Sequence, residues 1–219
     1  MKLLREYIRE LLTEGAKGPQ DLIDIPNAFI RVVDKGDEIE IYYGRRSTHG
    51  SPHPLRGIEG RLSSGELESG VTPWGDISIG REDMHGPCGD AFMVGGSAAD
   101  HGWGPLLYDV AMEYATMKGG GMMADRTSVS GAARDVWAYY LGNRGGVTAH
   151  QLDNLRNTLT PDIEEDNCDQ TVSLHNVHFK DLDAAGDSLK WAESPLSKRY
   201  TKPPTTIDAL RAAGRLIER

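Results

Sequence analysis

The chain has 219 residues, enough to bury one core with appended arms and no metal or disulfide staple. Its 33 acidic against 24 basic residues give a formal charge of -9, which sets aside a nucleic-acid-coating role, since neutralising phosphates calls for a basic face. The two cysteines, Cys88 and Cys168, are too few for a disulfide scaffold and lack metal-ligand spacing, so both are expected as free thiols in a reducing cytoplasm.

The first expected element is a short amphipathic helix. Leu4, Ile8, Leu11 and Leu12 share one side, and Lys2, Arg5, Glu6, Arg9 and Glu10 occupy the other. Charges interrupt the apolar residues throughout, so the segment is no secretory signal, and it cannot span a membrane, which needs about 20 uninterrupted apolar residues. The helix runs into Leu12-Thr13-Glu14-Gly15-Ala16. Together these features resemble the capsid-targeting peptide of internal head proteins in T-even-type tailed phages, which the prohead protease cuts after a Leu/Ile-x-Glu triplet and before a small residue. The resemblance implies a cut between Glu14 and Gly15. It also implies that residues 1–16 meet the prohead protease and phage head proteins, with the virion interior or the host cytoplasm as location.

After a linker at Gly15 to Gln20, the β-branched and aromatic runs 28–33 and 38–43 flank Asp34-Lys35-Gly36-Asp37 and predict a hairpin. Residues 44–75 read as an irregular loop with a short strand near Gly57 to Leu62. Pro52 and Pro54 prevent a helix from aligning His49 and His53 as metal ligands, so both read as solvated. Ile77 to Ile79 and Ala91 to Ser97 read as strands, the second buried. After the turn 100–105 comes a clear helix: Leu106, Leu107, Val110, Ala111, Tyr114, Ala115 and Met117 form its apolar stripe, Pro105 sits in its first turn, and Gly119-Gly120-Gly121 ends it.

Met122 to Asp125 returns as a short strand. Ser128 or Ser130 then caps a second helix, with Ala133, Val136, Trp137, Tyr140 and Leu141 on its buried side and Gly142 as its stop. Strand, glycine turn, helix, strand, helix predicts an α/β class built on a mixed sheet, over residues 20–160. The acidic run 162–169 lacks the alternating ligands and central glycine of a calcium loop and reads as solvated. It opens a region, 161–219, that closes with an extended basic arm at 194–204 and a terminal helix. A capping box over Thr205-Thr206-Ile207-Asp208 is expected to start that helix, and Ile207, Leu210 and Ile217 to seam it against the core or a partner.

The candidate chemistry centres on Gly102-Trp103-Gly104, where a strand delivers a glycine turn to the start of a helix. Glycines admit close approach of a ligand, and the first-turn N–H groups with the positive helix end suit a pyrophosphate; Pro105 removes one donor. Residues 92–97, 102–104, 106–115, 122–125 and 130–141, in that order, resemble the acetyl-CoA-binding half of the GNAT family of N-acetyltransferases over roughly residues 85–145. The Gly-Trp-Gly-Pro and Asp-Arg-x-x-Val-Ser blocks are also similar to those of acetyltransferase-like marine-phage proteins.

The GNAT resemblance implies a three-layer fold and acetyl transfer from acetyl-CoA, with Gly102, Trp103, Gly104 and Leu106 holding the cofactor. Departures stand beside it. Ala99 occupies the place of the family's Arg or Gln, Asp100 puts a negative charge at the presumed pyrophosphate, and Trp137 stands where the family often keeps an acidic tyrosine. Tyr140, one turn on, is the best substitute acid, and Asp90 is the candidate base.

His85 and His101 read more simply as loop histidines bonded to backbone, and Cys88 as a buried strand cysteine rather than a nucleophile. Asp125-Arg126 could bind substrate, but an internal ion pair fixing the turn into the second helix is favoured. Trp103, Trp137 and Tyr114 read as core. Two functions result: an acyl-CoA-dependent N-acetyltransferase packaged in a phage head, or a non-enzymatic virion protein that keeps the fold. The intact glycine turn favours the first, and Ala99, Asp100 and Trp137 favour the second.

Overall fold

The structure is a computed structural model that describes residues 15–46, 71–81, 85–100, 102–142, 145–169, 173–174, 177–178 and 192–219. The expected targeting helix, His49, His53, the strand expected at 57–62 and His101 lie outside these residues.

The described helices are α1 (Pro19–Ile23), α2 (Gly104–Lys118), α3 (Gly131–Leu141) and α4 (Thr205–Ala212). The longer strands are β1 (Ala28–Asp34), β2 (Glu38–Arg46), β3 (Val71–Gly80) and β4 (Phe92–Ala99). Shorter ones follow: β5 (Met122–Met123), β6 (Ser128–Val129), β7 (Thr148–Gln151), β8 (Asp153–Asn154), β9 (Asn167–Cys168), β10 (Ser173–Leu174), β11 (Val177–His178), β12 (Lys198–Thr201) and β13 (Leu216–Glu218). Eight strands form one mixed sheet in the order β13-β1-β2-β3-β4-β5-β12-β7. The expected α/β class with a mixed sheet therefore holds.

The chain divides into two compact units, each assembled from separated stretches. The first comprises residues 1–78, 96–111 and 204–219. Its hairpin is as expected: β1 pairs antiparallel with β2 from Ala28↔Arg45 to Asp34↔Ile39, and Gly36 takes φ +89 in the turn. Ile30, Ile39, Ile41, Leu106, Val110 and Leu210 bury here. β3 begins at Val71, well before the short strand expected at Ile77.

The C-terminal stretch departs from expectation twice in this unit. Pro204, not a threonine, caps α4, with no side-chain cap; its ring suits the helix start and its carbonyl accepts from Asp208 N–H at 2.9 Å. The capping box is therefore absent. Ile217 also leaves the helical seam, because Gly214 at φ +65 ends α4 in a Schellman turn. Gly214 N–H donates to Arg211 O at 3.0 Å, Arg215 N–H donates to Leu210 O at 2.8 Å, and β13 then pairs parallel with β1.

The second unit comprises residues 79–95 and 112–203. β4 and β5 pair in parallel, but only at Phe92↔Met122 and Met93↔Met123, and β4 runs on from Val94 to Ala99. α2 makes the crossover between them and stops before Gly119, as the glycine run predicts. Met117 is the exception to its stripe, 47% exposed. Ser130 supplies the N-cap of α3, its Oγ accepting from Ala133 N–H at 3.2 Å, and Gly142 ends the helix. Trp137 stacks on Tyr200 with centroids 5.1 Å apart.

Residues expected as an extended arm are instead an interior strand, since β12 pairs antiparallel with both β5 and β7. Cys88 and Cys168, expected as free thiols, form a disulfide with Cα atoms 4.7 Å apart, joining the turn before β4 to β9. Counting cysteines fails here because the fold closes a sequence separation of 80.

Candidate functional site

In the first unit β4 leads into a turn that presents the start of α2. Asp100 N–H donates to Trp74 O at 3.1 Å, and Trp103 N–H donates to Asp100 O at 3.0 Å. Gly102 holds φ +83, a conformation that glycine adopts freely. Gly104 opens the helix, and among the described residues a Cβ built there would meet nothing within 4 Å. No described side chain crowds Gly104.

Gly102 is different: a Cβ there would lie 2.1 Å from the Gly15 carbonyl oxygen. Its close approach is to this chain's own segment Gly15 to Lys17, whose Lys17 N–H donates to Gly102 O at 2.9 Å. Trp103 is 6% exposed, with its ring 5.2 Å from Tyr43 and 6.5 Å from Trp74, and with Lys17 Nζ 4.9 Å from its centroid. Leu106 is fully buried. Trp103 and Leu106 are thus core side chains that offer this mouth only main chain.

Beneath the turn, the Tyr43 hydroxyl is buried against the Asp100 main chain, whose hydrogen bond to it favours the ionised phenol. Burial pushes its pKa far above the usual phenol value, and the Asp100 charge pushes it further. Burial also raises the Asp100 carboxyl above 3.8, so it gives up its charge more readily than a solvated aspartate. Ser97 and Tyr108 share a hydrogen bond of 3.1 Å nearby.

The catalytic candidates Asp90 and Tyr140 both belong to the second unit, whereas Gly102, Trp103, Gly104 and Leu106 belong to the first. Cys88, Gly89 and Asp90 take φ values of +46, +61 and +57, an uncommon left-handed run held by the disulfide on one side. The Asp90 carboxylate is engaged by Arg81 at 3.2 and 3.3 Å. Arg81 also lies over the Phe92 ring at 4.4 Å and donates to Lys118 O at 2.6 Å. A cavity of about 750 Å³ opens beside this turn, lined by Arg81, Asp90, Met123, Glu164 and Arg199 among others.

Tyr140 is 1% exposed and meets Tyr139 edge-on at 5.2 Å, so an acid at its hydroxyl would act from inside the core. Cys88, half of a disulfide and 2% exposed, has no thiol to offer as a nucleophile. His85 is buried, with Nδ1 3.6 Å from Asp169 Oδ2, so its ring faces a carboxylate rather than the expected backbone.

Asp125 and Arg126 do fix the turn into α3, but through main chain rather than as a mutual ion pair. Asp125 Oδ1 accepts from Thr127 N–H at 2.6 Å, and Arg126 donates to Ala124 O and Leu196 O at 3.1 and 2.8 Å. Burial carries the Arg126 pKa down to about 10, against the upward pull of Asp169 and Asp125. Asp166, in the run expected as solvated, is 5% exposed and accepts from Thr160 Oγ1 at 2.9 and 3.0 Å.

Sequence reasoning missed Lys17 and Tyr43. The first lies in what reads as a linker, and the second reads as one more strand aromatic. Among the described residues no group of three or more His, Cys, Asp or Glu side chains could hold a metal, and no helix is long and apolar enough to cross a membrane. Comparison with protein-family models, curated proteins and solved structures finds no match.

Proposed function

We propose that the chain is an acyl-CoA-dependent N-acetyltransferase-like protein of a tailed phage, carried in the head, in the three-layer arrangement of the GNAT family. The observation that carries this reading is the β4-α2-β5 crossover. Its parallel ladder stops after two residue pairs, while β4 continues into a glycine turn that opens a helix at Gly104, where no other described residue lies within 4 Å of the Cβ position. The flanking pairs support it: β1-β2 on one side and β5-β12-β7 on the other run antiparallel, and β4-β5 between them is a parallel junction.

Acetyl-CoA, when bound, supplies an acyl group already activated as a thioester. Main-chain N–H groups at the start of α2 would take its diphosphate with the help of the positive helix end. Asp100 opposes this by about 1–4 kcal/mol for like charges at close range.

A second reading is a virion protein that keeps the fold and has lost the chemistry; the burial of Tyr140 favours it. Thermal melting separates the two. Acetyl-CoA at 100 times its dissociation constant should add about 2.7 kcal/mol. Binding with no acetyl transfer to an amine acceptor, read by mass spectrometry, supports the second reading. Absence of any melting shift at millimolar acetyl-CoA sinks the first.

A further inference from the structure

We propose that the cavity beside the Cys88 to Asp90 turn binds a free basic amino acid, with Arg199 taking the carboxylate and Glu164 and Glu165 taking the cationic groups. The cavity lies wholly within the second unit, and its occupant is independent of the acetyl-CoA reading.

Strand alternation places the first residue. On β12, Tyr200 turns to one side and stacks on Trp137, so Arg199 emerges on the other. There it stands opposite Met123 in the β5 ladder, and both line the cavity. Two glycines fix the guanidinium: Arg199 Nη1 donates to Gly120 O at 2.7 Å, and a Cβ on Gly89 would lie 2.7 Å from Nε and 3.3 Å from Cζ. A guanidinium carries five N–H donors. Among the described residues Arg199 has that one hydrogen bond, and its Nε is buried without a partner.

The disulfide brings in the second wall. It ties the turn at Cys88 to Cys168 in β9, and the segment just before β9 carries Glu164 and Glu165 to the same cavity. Charge then selects the ligand. Arg81 and Asp90 neutralise each other at 3.2 and 3.3 Å. The Arg199 charge reaches Asp166, but that carboxylate accepts from Thr160 Oγ1. Glu164 and Glu165 are exposed, and among the described residues neither they nor Arg199 form an ion pair. One fixed cation and two carboxylates are left on one cavity. The complement has one negative and two positive groups, which are the charges of a basic amino acid, and its planar carboxylate matches the guanidinium fork. A dianionic phosphate would suit Arg199 but set its second charge against Glu164 and Glu165. The volume of about 750 Å³ lies within the range of small-molecule sites, about 300–1,000 Å³.

Isothermal titration of the full-length chain tests this, with L-arginine, agmatine, L-glutamate and inorganic phosphate as separate probes. Agmatine keeps a cation at each end and lacks the carboxylate, so it should bind about tenfold more weakly than L-arginine. Arg199→Met should bring L-arginine down to the agmatine level and leave agmatine unchanged. Glu164→Gln combined with Glu165→Gln, at exposed positions, should weaken L-arginine about threefold at low salt and less at high salt, with no change in melting temperature. Absence of L-arginine binding at millimolar concentration overturns the site. Equal affinity for agmatine overturns the role of Arg199, an unchanged affinity in the double glutamine variant overturns that of the glutamates, and equal affinity for L-glutamate or phosphate overturns the choice of ligand.

Discussion

Glu113 and Lys202 form an ion pair at 0% and 3% side-chain exposure, the most expensive kind of site in which to leave one charge alone. Lys202→Met should cost about 3–5 kcal/mol in urea unfolding, and pairing it with Glu113→Leu should recover most of the loss.

Asp153 shows how acid acts on a single residue. Burial pushes its carboxyl up, but N–H groups of Leu159, Thr160 and Asn154 donate to it at 2.7, 2.8 and 2.7 Å and carry its pKa below 3.8. A depressed folded value means that its contribution is present above 3.8 and disappears as pH falls through the folded value. Asp153→Asn should therefore lose about 1–3 kcal/mol near neutrality, and the gap to wild type should close in strong acid. None of these residues was legible in the sequence. Glu113 sits inside an apolar stripe whose period marks a buried face but not a buried charge, and its partner lies 89 positions away.

Elements with strong local signals are legible in the sequence. The β1-β2 hairpin, α2 and α3 each combine periodicity with a punctuating glycine, proline or serine, and local physics decides them. Elements made by distant pairing are not legible. β12 and β13 have few residues and no alternation to announce them, and only their ladders with β5, β7 and β1 make them strands.

The Gly119 to Gly121 run reads in the sequence as a helix stop, and in the fold it is also a packing site. A Cβ on Gly120 would fall 1.6 Å from Gly89 O. Gly120→Ala should thus destabilise far more than the roughly 1 kcal/mol gain of an ordinary exposed substitution could offset, with early melting as the readout. The disulfide closes a loop long enough that its removal should cost about 4 kcal/mol. Alkylation before reduction should label neither cysteine, and labelling of both in the native chain would contradict the bond.

At the scale of the whole molecule, the order of the α/β crossover is legible in the sequence because strand, glycine turn and helix are contiguous. It could not reveal that the turn is overlain by residues 15–17, or that Asp90 and Tyr140 fall in a different unit from Gly104. Contiguity carries the motif, and tertiary placement carries the site. The proposed address at residues 1–14 is tested on particles: protein extracted from virions should begin at Gly15, and an intact Met1 there would exclude processing.

β13 pairs in parallel with β1, and the ladder reaches the final residue, where Asp34 N–H donates to Arg219 O at 3.0 Å and Arg219 N–H donates to Val32 O at 3.1 Å. Clipping off residues 215–219 would strip a hairpin of its guard and bare a row of main-chain donors and acceptors beside Ile30 and Val32. Such a margin invites recruitment of a neighbouring molecule's strand, so a shortened chain should self-associate.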